Sequence, residues 1–512
     1  MSGRKEAAVK NSTIGLLGQI ISLILQIISR RYFIQFIGEE ILGLNNTFSS
    51  ILSTLSLAEL GFQSAISYNL YRPLADKNTE RINELVNVYK LVYNSIGVFF
   101  IVASFAMLPV LPFLTKNVEI NRDVYLFFLI QAAASTCTYF LAYKRTVLYA
   151  DQKEYVYKMV YLVMNIVFKS AQIFVIVRFH SYYVYITLQV VQEYVSNFIV
   201  HRVCCKKYPY LKKTKFSKEC AKKVFADAKE IFAGRFAGYM YACTDNLIVS
   251  KVLGTVQVAF LGNYTTITNN MRLLINSIMS PLIPIVGNYL AENGSVEQQE
   301  RKLRIYSHLR FLVALALAVP ALVLIDDFIA MWVGTRFVLS ASIKILLMAD
   351  LYLYLIQGAC NDYVIGMGLF KKDKYVTIIG VILNLSVSLL LVWKWGIAGI
   401  LFGTVFSQIF NWIGHSFIVY KYSFSASRRQ YVSYLLKNIY YIFCFGIIAL
   451  VCLYLYSLIH LDSFIVKFIL GGCLCEWVVG VLYLLLCCKI TEMQELFGML
   501  VPALKNKFRR KG

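Results

Sequence analysis

Fourteen apolar stretches recur along this chain, each bounded by polar or charged turns. They fall at residues 13–36, 43–69, 88–114, 123–147, 156–178, 182–203, 229–250, 258–286, 303–325, 338–365, 375–394, 396–420, 436–458 and 464–488. A helix needs roughly 20 residues to cross about 30 Å of hydrocarbon. In that medium the backbone has to satisfy its own hydrogen bonds, which helices do within one segment. The pattern therefore predicts an all-α polytopic membrane protein of about 14 transmembrane helices. Of the 512 residues, 58% are hydrophobic and only 15% charged, and no long polar tract is left over to build a separate soluble domain.

The net charge of +23 invites a nucleic-acid reading, which the placement of the charges excludes. Even-numbered junctions and both tails are basic, while odd-numbered junctions are nearly free of cations; Gly38–Leu42 has none. The His201–Lys229 loop alone holds ten Lys and Arg residues. Short basic loops mark the cytoplasmic side. The asymmetry predicts that both termini lie in the cytoplasm, that the spans are even in number, and that the protein is a multi-pass component of the cytoplasmic membrane, with membrane lipids as its surroundings. The first apolar stretch is full length and lacks a small-residue cleavage site, so it reads as a retained helix. The 12 cysteines show neither metal-ligand nor disulfide spacing, and no phosphate-binding loop is present. No cofactor or metal is expected.

The informative residues are polar ones inside the apolar spans. At 100° per residue, Gln19, Ser22, Gln26 and Arg30 of span 1 fall within about 80° of one another. Arginine facing lipid is costly, so Arg30 and Arg31 read as facing a bundle interior or cavity, the alternative being that they reach the outer headgroups. In span 8, Thr265, Asn269, Arg272 and Asn276 share a face about 60° wide, and in span 10 so do Asp350, Tyr354, Gln357 and Asn361. Lys169 in span 5 and Arg235 in span 7 add cations, while Glu59, Asp245 and Asp350 are carboxylates able to carry a proton or bind Na⁺, the alternative for Glu59 and Asp245 being that they are structural partners of arginines. Arg235 and Arg310 are close enough to cytoplasmic helix ends to reach headgroups instead. Lys344 reads as doing so at the outer end. The stripes together predict a hydrated cavity lined by cations (Arg30, Arg31, Arg272, Arg235, Lys169), by amides (Gln19, Gln26, Asn269, Asn276, Gln357, Asn361) and by a few carboxylates. Such a cavity suits an anionic ligand.

The long basic loop divides the chain into six spans and eight. The turn Phe36-Ile37-Gly38 before Leu44-Asn45-Asn46 is matched by Val252-Leu253-Gly254 before Phe260-Leu261-Gly262-Asn263. Weak internal symmetry of this kind is found in two-lobed transporters.

The run Arg30-Arg31-Tyr32-Phe33 to Gly38-Glu39-Glu40-Ile41-Leu42-Gly43-Leu44-Asn45, then Leu55-Ser56-Leu57-Ala58-Glu59-Leu60-Gly61, Ala65-Ile66 and Tyr71-Arg72-Pro73-Leu74-Ala75, resembles the start of bacterial polysaccharide-unit flippases. Thr244-Asp245-Asn246-Leu247-Ile248 with Leu253-Gly254 is similar to the start of their second lobe. These flippases belong to the multidrug/oligosaccharidyl-lipid/polysaccharide exporter superfamily. The resemblance implies two six-helix lobes around a central cavity plus two C-terminal helices: an N-terminal lobe at 1–203, a basic cytoplasmic linker at 204–228, a C-terminal lobe at 229–421, and spans 13–14 with the basic tail at 422–512. It implies a substrate of oligosaccharide on undecaprenyl pyrophosphate, turned from inner to outer leaflet by alternating access for capsule, exopolysaccharide or related assembly. It further implies coupling to H⁺, Na⁺ or membrane potential, and a polysaccharide polymerase and chain-length regulator as partners. Two other functions compete. A cation-coupled multidrug antiporter predicts an acidic cavity, unlike the arginine-bearing stripes here. A membrane glycosyltransferase or polymerase predicts a larger external loop than the chain has, so no enzyme activity is expected.

Overall fold

The computed structural model describes residues 2–56, 62–151, 153–212, 214, 217–279, 296–367, 369–424, 427–461, 463–496 and 498. Among them the chain is helical throughout and has no strand. The long helices are α1 (Ser2–Phe36), α2 (Glu39–Leu55), α3 (Phe62–Ala75), α4 (Thr79–Met107), α5 (Arg122–Leu141), α6 (Glu154–Phe179), α7 (Tyr182–Lys207), α8 (Lys218–Val252), α9 (Thr255–Met279), α10 (Val296–Trp332), α11 (Ala341–Gly366), α12 (Phe370–Trp395), α13 (Ile397–Ile418), α14 (Arg428–Ser457) and α15 (Phe464–Cys487). With α2 and α3 sharing the second apolar stretch, these helices supply one segment for each of the fourteen predicted spans.

Ten of the described helical segments are long and apolar enough to cross a membrane on length and composition alone. The segments that fall short are α2 and α3, which are only 17 and 14 residues long, and α7, α8 and α9, whose apolar runs polar and charged residues interrupt. Among them α9 carries one of the polar stripes that the sequence singles out, while α1 and α11, which carry the other two, are long and apolar enough. Polar residues at membrane depth persist where neighbouring helices satisfy them.

The chain divides into two compact units, Met1–Gly262 and Asn263–Gly512, and the division falls inside α9. In this division span 7, carried on α8, groups with the first six spans.

In the first unit, α1 packs on α6, α5 on α4 and α7, and α8 on α2 and α3. The repeated turns seen in the sequence have one geometry. Gly38 (φ 103°) and Gly254 (φ 106°) both sit in the left-handed region, which glycine enters without steric cost. Gly38 N and Ile37 N donate to Phe33 O, and Gly254 N and Leu253 N donate to Val249 O in the same way. The basic linker is strapped to α4. Asn83 Nδ2 donates to Tyr210 O at 2.8 Å, Lys212 N donates to Asn83 Oδ1 at 2.8 Å, and Ser217 Oγ donates to Glu84 Oε1 at 2.6 Å.

Gly43 is where the start of α2 meets the start of α9. A Cβ there would lie 1.8 Å from the carbonyl oxygen of Thr255, a backbone atom that no side-chain adjustment can move. Gly43→Ala should therefore destabilise the first unit by about 1–3 kcal/mol, as overpacking of a tight core does. A lowered thermal-unfolding midpoint in detergent, with helix content unchanged at low temperature, is the expected result.

In the second unit, α12 packs on α13, α13 on α11, and α11 on α10. The two C-terminal helices, α14 and α15, pack on one another and on α10. His308 of α10 fastens them: its ring nitrogens lie 2.9 Å from the Tyr441 hydroxyl of α14 and 2.8 Å from that of Tyr483 of α15.

Candidate functional site

In the first unit the polar face of α2 is tied on three sides. Tyr182 of α7 donates its hydroxyl to Asn45 Oδ1 at 3.0 Å, Gln131 of α5 reaches Ser49 Oγ at 2.8 Å, and Asn246 of α8 reaches Ser50 Oγ at 3.1 Å. The span 1 stripe lies alongside. Asn165 of α6 donates to Ser22 Oγ at 3.0 Å, with Gln19 half-buried and Gln26 exposed on the same face of α1.

Arg30, half-buried, donates from Nη2 to the carbonyl of Ala259 at 3.2 Å. The approach depends on Gly262, because a Cβ there would stand 2.8 Å from Arg30 Nη2 and 2.6 Å from Asn46 Nδ2. Arg31, one position on, is exposed, so only Arg30 joins the polar face. Lys169 of α6 is half-buried, its Nζ 3.4 Å from the Tyr185 hydroxyl and 5.4 Å from the centre of that ring. Among the described residues it has no carboxylate within ion-pairing distance. Asp245 is half-buried on α8. Glu59 and the side chain of Arg235 lie outside the described residues.

In the second unit the two predicted stripes meet. Arg272 of α9 forms an ion pair through Nη2 with Asp350 of α11. The other carboxylate oxygen of Asp350 accepts from Gln408 Nε2 of α13 at 3.3 Å, and Gln408 is in turn bonded to Gln357. The Arg272 guanidinium lies 4.9 Å over the ring of Tyr354, whose hydroxyl donates to Asn276 Oδ1 at 2.7 Å. Arg272 Nε is buried with no hydrogen-bond partner among the described residues, so the guanidinium keeps a donor that Asp350 does not take. Asn269 and Asn276 are exposed and Asn361 is half-buried.

This geometry holds a cation in fixed orientation on a face of amides and a tyrosine. A planar guanidinium held in this way can present its donors to an oxyanion. Gln408 is the residue that the stripe reading missed. Its signal was available: Thr404, Gln408, Asn411 and His415 follow helical spacing on α13 and all are buried.

Two cations that the sequence left near helix ends have protein partners. Arg310 is buried, paired with Asp362, and donates to Leu355 O at 3.2 Å and to the Tyr306 hydroxyl at 3.1 Å. It serves neither headgroups nor a cavity. Lys344 pairs with Asp326 at 2.5 Å in place of reaching for the outer headgroups.

The fold has known relatives. It matches a structure titled lipid II flippase MurJ in an inward closed conformation, with a TM-score of 0.65 over 92% of this chain and 98% of that one, at 13% identity. It also matches an inward-facing MATE-family multidrug resistance transporter of the MOP superfamily (TM-score 0.60, 14% identity, 78% of this chain and 96% of that one) and a Vibrio cholerae MATE transporter, VcmN (TM-score 0.56, 14% identity, 83% and 99%). A search of curated proteins finds no match. The fold is thus that of the flippases and transporters of the MOP superfamily, a multi-pass membrane architecture. Within that class, residues 8–290 match the model of the polysaccharide biosynthesis protein family, and the chain belongs to this family.

Proposed function

We propose that this protein flips an oligosaccharide carried on undecaprenyl pyrophosphate from the inner to the outer leaflet of the cytoplasmic membrane, for surface polysaccharide assembly. It works by alternating access between lobes at 1–203 and 229–421, which the 204–228 linker joins and the helices of 422–512 extend. Both termini lie in the cytoplasm. The protein carries substrate without transforming it, needs no cofactor, and operates beside a polymerase and a chain-length regulator.

The observation that carries this reading is Arg272, a half-buried guanidinium held by Asp350 over Tyr354 on a face of amides. A pyrophosphate bears about two negative charges, and a charge-assisted bond from a desolvated arginine is among the stronger polar contacts a protein makes. Arg30 and Lys169 supply cations on the polar face of the first unit, and Gln19, Gln26, Asn269, Asn276, Gln357 and Asn361 supply amides for sugar hydroxyls. Asp350 has a second role here. When a proton or Na⁺ neutralises it, its hold on Arg272 weakens and the guanidinium turns to the pyrophosphate, which links the gradient to the substrate.

Binding tests this directly. Detergent-solubilised protein should bind a short-chain lipid-pyrophosphate disaccharide, with inorganic pyrophosphate competing and a lipophilic cation not competing. Asp350→Asn should bind the same ligand more tightly and lose the pH and Na⁺ dependence of the wild type, because Arg272 is then permanently released. Competition by the cation alone would instead favour a multidrug antiporter. Weaker binding by Asp350→Asn would refute the release step.

A further inference from the structure

Among the described residues, Glu476 is an intramembrane carboxylate that the polar faces described above leave unexplained. Glu476 sits at the middle of α15, 12 residues from Phe464 and 11 from Cys487. It is exposed, and among the described residues it makes no ion pair or hydrogen bond. By contrast, Asp326, Asp327, Asp350 and Asp362 in the same unit each have a basic partner. A carboxylate facing hydrocarbon at mid-membrane is costly, and such residues are normally covered by a partner.

The surface around it is built for close approach. Gly472, Glu476 and Gly480 follow one another at successive turns of α15. Among the described residues, a Cβ on Gly480 would meet nothing within 4 Å, and one on Gly472 only Leu324 Cδ1 at 3.7 Å. Neither glycine is therefore required by packing against the described residues. Small residues on an outer face let a second helix come near, and a polar side chain among them fixes it through an interhelical hydrogen bond. Trp477 and Leu484, 67% and 51% exposed, flank the glycines with apolar area.

We propose that the Gly472–Glu476–Gly480 face of α15 docks a transmembrane helix of another protein, one that carries a basic side chain at mid-membrane. Charge decides the occupant. A second copy of this chain packed face to face by a two-fold axis would set Glu476 against Glu476, like charges in a low dielectric. A lysine or arginine on a different helix neutralises Glu476 and satisfies it.

The test uses the full chain, donor-labelled, in phosphatidylcholine vesicles. The probe is an acceptor-labelled poly-leucine transmembrane peptide with one central lysine, compared with its all-leucine counterpart by energy transfer. The lysine peptide should associate roughly tenfold more tightly than the all-leucine one, the scale of one good interhelical polar contact. Glu476→Leu should abolish that preference, and Glu476→Gln should keep part of it. Gly480→Leu, at a position with open space, should leave helix content unchanged and also abolish it. Equal association of the two peptides, or a preference that survives Glu476→Leu, overturns the proposal. Energy transfer between two protein copies that Gly480→Leu removes also overturns it, because the face then takes a second copy.

Discussion

Arg310→Met should destabilise the second unit by about 3–5 kcal/mol, the usual cost of leaving one member of a buried ion pair without the other. Arg310 is 4% exposed and Asp362 5%. With the guanidinium gone, Asp362 keeps the hydroxyl of Tyr306, and one neutral donor does not offset a buried charge. The site is also shaped for this arginine: a Cβ on Gly358 would lie 2.1 Å from Arg310 Nη1. The double variant Arg310→Met, Asp362→Leu removes both charges and should recover much of the loss. Thermal unfolding in detergent reads both effects. If the double variant is as unstable as the single one, the damage comes from lost packing, and the ion-pair account of this position is wrong.

The second large effect falls on transport. Arg272→Gln and Arg30→Gln should each weaken the hold on a lipid pyrophosphate by roughly 10- to 100-fold, corresponding to about 1.5–3 kcal/mol for a hydrogen bond to a charged group. Arg272→Lys keeps the charge but loses the planar fork and should fall between. Both arginines are only half-buried, so neither substitution opens a core cavity; Arg30→Gln should leave the unfolding midpoint close to wild type, whereas Arg272→Gln strips buried Asp350 of its cation and should lower it. The Arg272 variants leave Asp350 with Gln408 as its remaining partner. Their residual transport should therefore respond differently to pH from that of Arg30→Gln. Identical pH profiles for the two would remove Asp350 from the coupling step.

The architecture was legible because hydrocarbon imposes a length and a composition on every span, and both are written locally in the chain. The stripes were legible for a similar reason. Helical periodicity places Arg272 with Asn276 on one helix and Asp350 with Tyr354 on another, and each pattern is visible by itself. What periodicity cannot express is which stripe faces which. The Arg272–Asp350 pair joins residues 78 apart in sequence on different spans, and Arg310–Asp362 residues 52 apart. Neither leaves a mark in local spacing, and Arg310 therefore read as a headgroup or cavity residue. Gln408 was missed for another reason. Its stripe on α13 contains no Lys, Arg, Asp or Glu, and a search led by intramembrane charge passes over amides and a histidine. The paired turns at Gly38 and Gly254 were readable as a repeat in the sequence, and they share one backbone geometry.

The most direct test of the central claim is transport by the wild-type protein in sealed vesicles. A fluorescent lipid-pyrophosphate oligosaccharide is placed in one leaflet, a pH, Na⁺ or electrical gradient is imposed, and its arrival in the other leaflet is followed by membrane-impermeant quenching. The account predicts gradient-dependent flipping that Arg272→Gln suppresses. Vesicles that leave the lipid-linked sugar in place under every gradient, yet extrude small organic cations, would contradict it and make this chain an antiporter built on the same fold.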